Sequence, residues 1–160
     1  MDRFLATDEK SWALALQRAV LGLVMLPHGA QKLLGWFGGY GWDGTMGFLT
    51  GTVGLPTPIA ALVILGESLG ALALVLGLGT RLSALGIAAI MIGAVVTTHL
   101  GNGFFMNWGG QAAGEGFEYH LLALGLAVPL VVSGGGRYAL DSVLRARLGA
   151  RDTAPAPAHA

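Results

Sequence analysis

The sequence predicts an all-α membrane protein, a four-transmembrane-helix bundle with both termini in the cytoplasm. Three observations predict it. Charge is scarce: nine acids and nine bases in 160 residues, or 11%, where a soluble domain carries roughly 25%. Hydrophobic residues make up 54% of the chain and the mean hydropathy is +0.66. The apolar residues also gather into four long runs. A soluble domain of this size needs a charged shell, so an ordinary soluble enzyme is excluded. A disordered chain has the opposite signature of low hydrophobicity and high charge. The net charge of zero gives no electrostatic case for nucleic acid. With no cysteine, disulfides, iron–sulfur clusters, thiolate zinc and thiol redox chemistry within the chain are excluded.

Taken in order, the runs are about Ser11–Leu34, Pro58–Leu78, Leu82–Leu100 and Phe117–Ser133. Each is near the ~20 residues that a helix needs to cross a bilayer. The first starts too late and lacks the small-residue cleavage site of a signal peptide, so a retained helix is expected. Pro56 and Pro58 open the second. Only Gly79-Thr80-Arg81 separates the second from the third, which makes them antiparallel neighbours. The fourth is short and interrupted by Pro129, which neighbouring helices can accommodate, and Gly134-Gly135-Gly136 ends it. Residues 1–10 then form a cytoplasmic N-terminal segment and residues 11–147 the transmembrane domain. Residues 148–160, including His159, read as a disordered tail.

Seven of the nine bases (Arg3, Lys10, Arg81, Arg137, Arg145, Arg147 and Arg151) lie beside the termini or in the second loop. The stretches 35–56 and 101–116 contain none. The positive-inside rule therefore puts the termini and the turn at 79–81 in the cytoplasm. Ten of the thirteen aromatic residues lie in or beside the two outer loops, among them Trp36, Phe37, Tyr40, Trp42, Phe104, Phe105 and Trp108. They anchor the chain at the interface with membrane lipids, or the loops fold back as a cap over the bundle. Gly66-Glu67-Ser68-Leu69-Gly70 is a GxxxG pattern that serves either packing within the bundle or a homodimer face. Gly39-Tyr40-Gly41-Trp42-Asp43-Gly44 fits GxGxxG, but with no preceding strand it is a glycine-rich turn and not a nucleotide site.

A charge inside hydrocarbon costs about 2.5–3.5 kcal/mol at a helix centre, so the few buried ionisable residues carry the functional argument. Glu67 sits about ten residues into the second span, too deep to reach water, and is either protonated or paired with a cation. Arg18, seven residues into the first span, either snorkels to the cytoplasmic boundary or reaches towards Glu67. His28, Gln31 and Lys32 share a helix face. Arg18, His28 and Lys32 fall within an arc of about 80° that should face the bundle interior. His99 ends the third span at the same outer level. Glu118 and His120 open the fourth about 200° apart, with Glu118 expected inward. The prediction is a polar pocket open to the outside, built from His28, Gln31, Lys32, His99 and Glu118 with Glu67 at its floor; the alternative is a structural network that locks the helices together. Three histidines also raise haem or a metal, but their spacing matches no compact ligand motif and Lys32 disfavours a cation.

These residues resemble the signature of the DoxX family of small four-helix membrane proteins. The stretch His28-Gly29-Ala30-Gln31-Lys32 followed by Gly38-Gly39 carries the likeness. Arg18 ten residues earlier, Pro56, Pro58, Glu67, Gly79-Thr80-Arg81, His99, Glu118-Tyr119 and Gly136-Arg137-Tyr138-Ala139-Leu140-Asp141 extend it in order. The resemblance implies a bacterial or archaeal membrane subunit linked to redox chemistry. The family takes its name from a subunit of a thiosulfate:quinone oxidoreductase, and other members look like anchors that gather soluble detoxifying enzymes. Three functions follow as expectations. One is a quinone-reactive subunit, in which His28, Lys32 or His99 donates to the quinone carbonyls, Glu67 relays protons, and electrons come from a second subunit or a small reductant. Another is a non-catalytic scaffold that recruits soluble enzymes through its outer loops or the basic segment Arg137–Arg151. The last is a small transporter, disfavoured because no inverted repeat or paired broken helices are visible.

Overall fold

The computed structural model describes residues 5–152, with side chains described as far as Leu148. All regular structure among the described residues is helical. Helix α1 spans Trp12–Leu34, α2 Gly41–Gly47 with a π-helical turn at Phe48–Thr52, and α3 Thr57–Leu76. Helix α4 spans Thr80–Asn102, α5 Glu118–Ser133 and α6 Leu140–Asp152. Helices α1, α3 and α4 are long and apolar enough to cross a membrane. The apolar α5 has 16 residues, about 24 Å of rise, and its two ends are extended by ordered loops. The four apolar helices therefore lie within a residue or two of the expected runs. Helix α6 continues to Asp152, past Leu148, where the sequence suggests a disordered tail. His159 lies outside the described residues.

Consecutive spans pack side by side and α5 closes back on α1, giving an up-down-up-down bundle. The core is built from Leu14, Leu21, Met25, Leu74, Ile87, Met91 and Leu130 around a set of alanines. Small residues set the spacing of α1 against α3. A Cβ on Gly22 would stand 2.8 Å from the Ala71 carbonyl oxygen, and one on Gly29 would run into the backbone of Glu67 and Ser68. Ser68 Oγ donates to the Gly29 carbonyl at 3.1 Å, so the closest approach of the two helices lies one residue from Glu67. Of the GxxxG pair, Gly66 meets Ile90 of α4 within the bundle, while Gly70 has open space. Packing inside one chain accounts for the first glycine.

The end of the bundle that carries the termini is tied by polar side chains. Arg18 donates to four carbonyls: Leu74 and Val75 at 3.2 and 2.6 Å, Gly135 at 2.8 Å and Arg137 at 3.1 Å. It is buried (6% exposed) and meets the carboxyl end of α3, where the helix dipole favours a cation. Arg81 does the same for α5, donating to Val131 at 2.7 Å and to Val132, and ties in the N-terminal segment through the Ala6 carbonyl at 2.9 Å. Asp141, 2% exposed, accepts from the Gly79 and Thr80 amides at 2.6 and 2.9 Å. It caps the amino end of α4 from outside that helix. Gly77 needs its left-handed φ of 70° in the α3–α4 turn, and a Cβ there would stand 2.6 Å from Ala139. Near the same end the Arg137 guanidinium lies 4.8 and 4.9 Å from the rings of Trp12 and Tyr138.

At the opposite end the segment between α1 and α3 packs against α3. Leu49, in the turn after α2, forms a small second core with Ala60 and Ile64 of α3. The second loop is held by polar bonds: His99 Nδ1 donates to the Glu115 carbonyl at 2.8 Å, and Glu115 Oε2 accepts from the Asn107 amide at 2.6 Å. Around them Trp36, Phe37, Tyr40, Phe105 and Trp108 are all exposed.

Candidate functional site

The buried stripe of α1 runs Leu14, Arg18, Leu21/Gly22, Met25 and Gly29. Continued by three residues it reaches Lys32, which is why both bases of this helix face inward. Side chains lean towards a helix's amino end, so the long Lys32 chain is directed back down α1 and deeper into the bundle. There it meets Glu67, with Nζ 2.5 Å from Oε2. The carboxylate is 6% exposed and the ammonium 29%. Of the two states expected for Glu67, the structure shows the ion pair. Its cation is Lys32, because Arg18 is engaged with carbonyls at the other end.

Glu67 lies in a π-helical turn, Gly66–Gly70, and His99 ends another, Val95–His99. Such single turns widen a helix locally and re-aim side chains, and they concentrate at functional sites. The His99 ring packs against that of His120, centroids 4.3 Å apart. His120 adjoins Tyr119 at 5.7 Å, and Tyr119 adjoins His28 at 5.9 Å. Tyr119 Oη donates to Met25 Sδ at 3.3 Å. Glu67 is close enough to act electrostatically on both His28 and Tyr119. His28, Tyr119, His120 and His99 therefore form one contiguous run of rings across α1, α5 and α4, with the Lys32–Glu67 pair of α1 and α3 within electrostatic reach of His28.

Three expectations are corrected here. Glu118 does not point inward: its Oε1 accepts from the Met106 amide and Trp108 Nε1, each at 3.2 Å, and so fastens the second outer loop. The inward residue is His120, 6% exposed. A signal for this existed in the sequence, because His120, Ala123, Ala127 and Leu130 recur at helical spacing and all four are buried; that stripe leaves Glu118 off the inner face. His28 is the second correction. It is exposed at the edge of the α1 arc, with its ring on Tyr119, and does not face the interior. Thirdly, Gln31 leaves the cluster and donates to the Phe37 carbonyl at 3.3 Å, bracing the turn after α1. Arg18 stands apart at the terminal end. No group of three His, Asp or Glu side chains arranged to hold a metal ion occurs among the described residues.

The fold and the buried ion pair define a small helical membrane protein with a polar site inside its bundle. The DoxX family model matches residues 13–100, and the chain belongs to that family. This match spans α1 to α4 and includes Lys32, Glu67 and His99. The chain is also 29% identical over 126 residues to a Bacillus subtilis (strain 168) protein named "Putative oxidoreductase CatD", covering 79% of this chain and 82% of that one. No solved structure matches the chain. Membership of the family and the three long apolar helices make this a membrane protein.

Proposed function

We propose that the chain is the membrane subunit of a quinone-linked redox system, with the Lys32–Glu67 pair and the adjoining rings as its quinone site. The observation that carries this reading is the ion pair itself. A 2.5 Å contact between an ammonium and a nearly buried carboxylate places a donor of hydrogen bonds beside a proton acceptor within an apolar bundle. Reducing a quinone to a quinol takes up two electrons and two protons. Lys32 donates to a carbonyl oxygen, Glu67 passes protons, and electrons arrive from a partner subunit or a small reductant. His28, exposed on the flank of α1 against Tyr119 of α5, gives a lipid-soluble headgroup a lateral approach to the pair.

Mass spectrometry of lipid-soluble molecules that co-purify in mild detergent tests the reading. Quinone should accompany the wild type and be lost from Glu67→Gln and His28→Ala, with quinone reduction in membranes falling at least about tenfold while expression holds. Wild-type protein that retains no quinone overturns it.

The same reading places the termini and the Arg18 and Arg81 end in the cytoplasm and the cluster towards the periplasm, in the bacterial inner membrane. The absence of cysteine makes this easy to check. Gln111→Cys should react with an impermeant maleimide added to intact cells, whereas Arg145→Cys should react only after lysis. The reverse pattern inverts the topology.

A second reading is favoured by α6, a helix outside the bundle that exposes Arg145 and Arg147. On that reading the chain recruits soluble redox or detoxifying enzymes. Their recovery with the wild type but not with the double variant Arg145→Glu/Arg147→Glu would support it, and indifference to those changes would discard it.

A further inference from the structure

We infer that His120 is the residue that hydrogen-bonds and orients the headgroup in this site, through its Nδ1; the inference rests on the quinone reading above. His120 is 6% exposed, and its Nδ1 is buried and takes no hydrogen bond among the described residues. More than nine in ten buried polar groups in folded proteins are paired, so a buried imidazole nitrogen left over in a polar cluster points to a ligand. The ring is held on one face by His99 at 4.3 Å and at an edge by Tyr119 at 5.7 Å, while its backbone amide is occupied by the Phe117 carbonyl at 3.0 Å. The rings that hold it come from α4 and α5, His99 and Tyr119, and Tyr119 in turn meets His28 of α1.

The chemistry narrows the ligand class. An ammonium only donates and a carboxylate only accepts, but a neutral imidazole nitrogen does either, according to tautomer. As N–H, Nδ1 donates to a quinone carbonyl; with the proton on Nε2, the same atom accepts from a quinol hydroxyl. One nitrogen can thus hold both redox states of a ring whose oxygen changes from acceptor to donor. Lys32 and Glu67 can each serve only one of them.

The test titrates the purified full chain in mild detergent with decylubiquinone, following tryptophan fluorescence. His120→Phe keeps a ring against His99 but removes the nitrogen, and should bind about tenfold more weakly. His120→Asn carries its amide close to the Nδ1 position and should recover most of that loss, whereas His120→Gln, which reaches towards Nε2, should not. Nitrogen NMR of histidine-labelled wild type should show the His120 Nδ1 resonance moving on addition of the quinone, a readout that needs no variant to fold. Wild-type binding with an unmoved resonance, or equal binding by folded His120→Phe, overturns the assignment to His120 and leaves the quinone reading standing. Failure of the wild type to bind overturns that reading and this inference with it.

Discussion

Replacing Lys32 by Met should destabilise the bundle by about 3–5 kcal/mol, because it strands the Glu67 carboxylate without its cation. Glu67 is 6% exposed and Lys32 Nζ, at 2.5 Å, is the cation it is paired with. The opposite change is milder. In Glu67→Gln the ammonium loses its anion, but Lys32 is already 29% exposed and its four-carbon stem can carry the charge to the loop-end surface. The double variant Lys32→Met/Glu67→Leu should regain most of the stability, since an apolar pair of similar volume often equals or exceeds a buried ion pair. Equilibrium unfolding in mixed micelles gives all three values. A double variant no more stable than Lys32→Met would show that the pair matters for packing and not for charge balance. Recovery of stability without recovery of quinone binding assigns the pair to function.

Arg18→Met should cost about 3–4 kcal/mol in the same assay. Four carbonyls on two segments lose a charged donor at once, and each such bond contributes about 1.5–3 kcal/mol before water at the terminal end compensates. Arg18→Lys should recover less than half. An ammonium has three donors around one point and cannot span Leu74, Val75, Gly135 and Arg137 as the planar guanidinium does. Quinone binding measured on the folded fraction should be unchanged, because Arg18 sits at the end of the bundle away from Glu67. Selective loss of binding in stable Arg18→Lys would show that this arginine belongs to the site after all.

The arginines show how topology and architecture share one cause. Arg18 and Arg81 each close the carboxyl end of a span, α3 and α5 respectively. Arg81, which a charge-asymmetry argument counts as a marker of sidedness, is therefore also a helix cap, and Arg18, which that argument leaves out, is another. Sequence alone distinguishes these roles poorly, because a cap on a distant helix leaves no local pattern. Asp141 is the same case: it caps α4 from more than sixty positions along the chain. Its place in the Gly136–Asp141 stretch was legible, whereas its partners were not.

Within the site, inward or outward direction was legible wherever a stripe of small and apolar residues ran long enough to set a helix's rotation. On α1 the arc of Arg18, His28 and Lys32 places both bases inward, while His28 lies beside the apolar stripe and is exposed. On α5 the alanines at 123 and 127 mark the inner face and select His120. Glu118, expected inward, instead meets the Met106 amide and Trp108, which come from a loop with no periodicity to read.

Composition and apolar run length by themselves determined the class, the number of spans and their bounds, because hydrocarbon thickness and backbone hydrogen bonding leave a chain with so little charge few alternatives. Charge depth determined which residues needed explanation. Which of them meet was decided only by the tertiary structure. Lys32 reaches Glu67 because Gly29 and Ser68 bring two helices together one residue away. His120 joins His99 because α5 is rotated by the packing of its alanines. Pairings of this kind depend on helix separation and rotation, which are set by contacts between segments far apart in the chain and appear in neither segment alone.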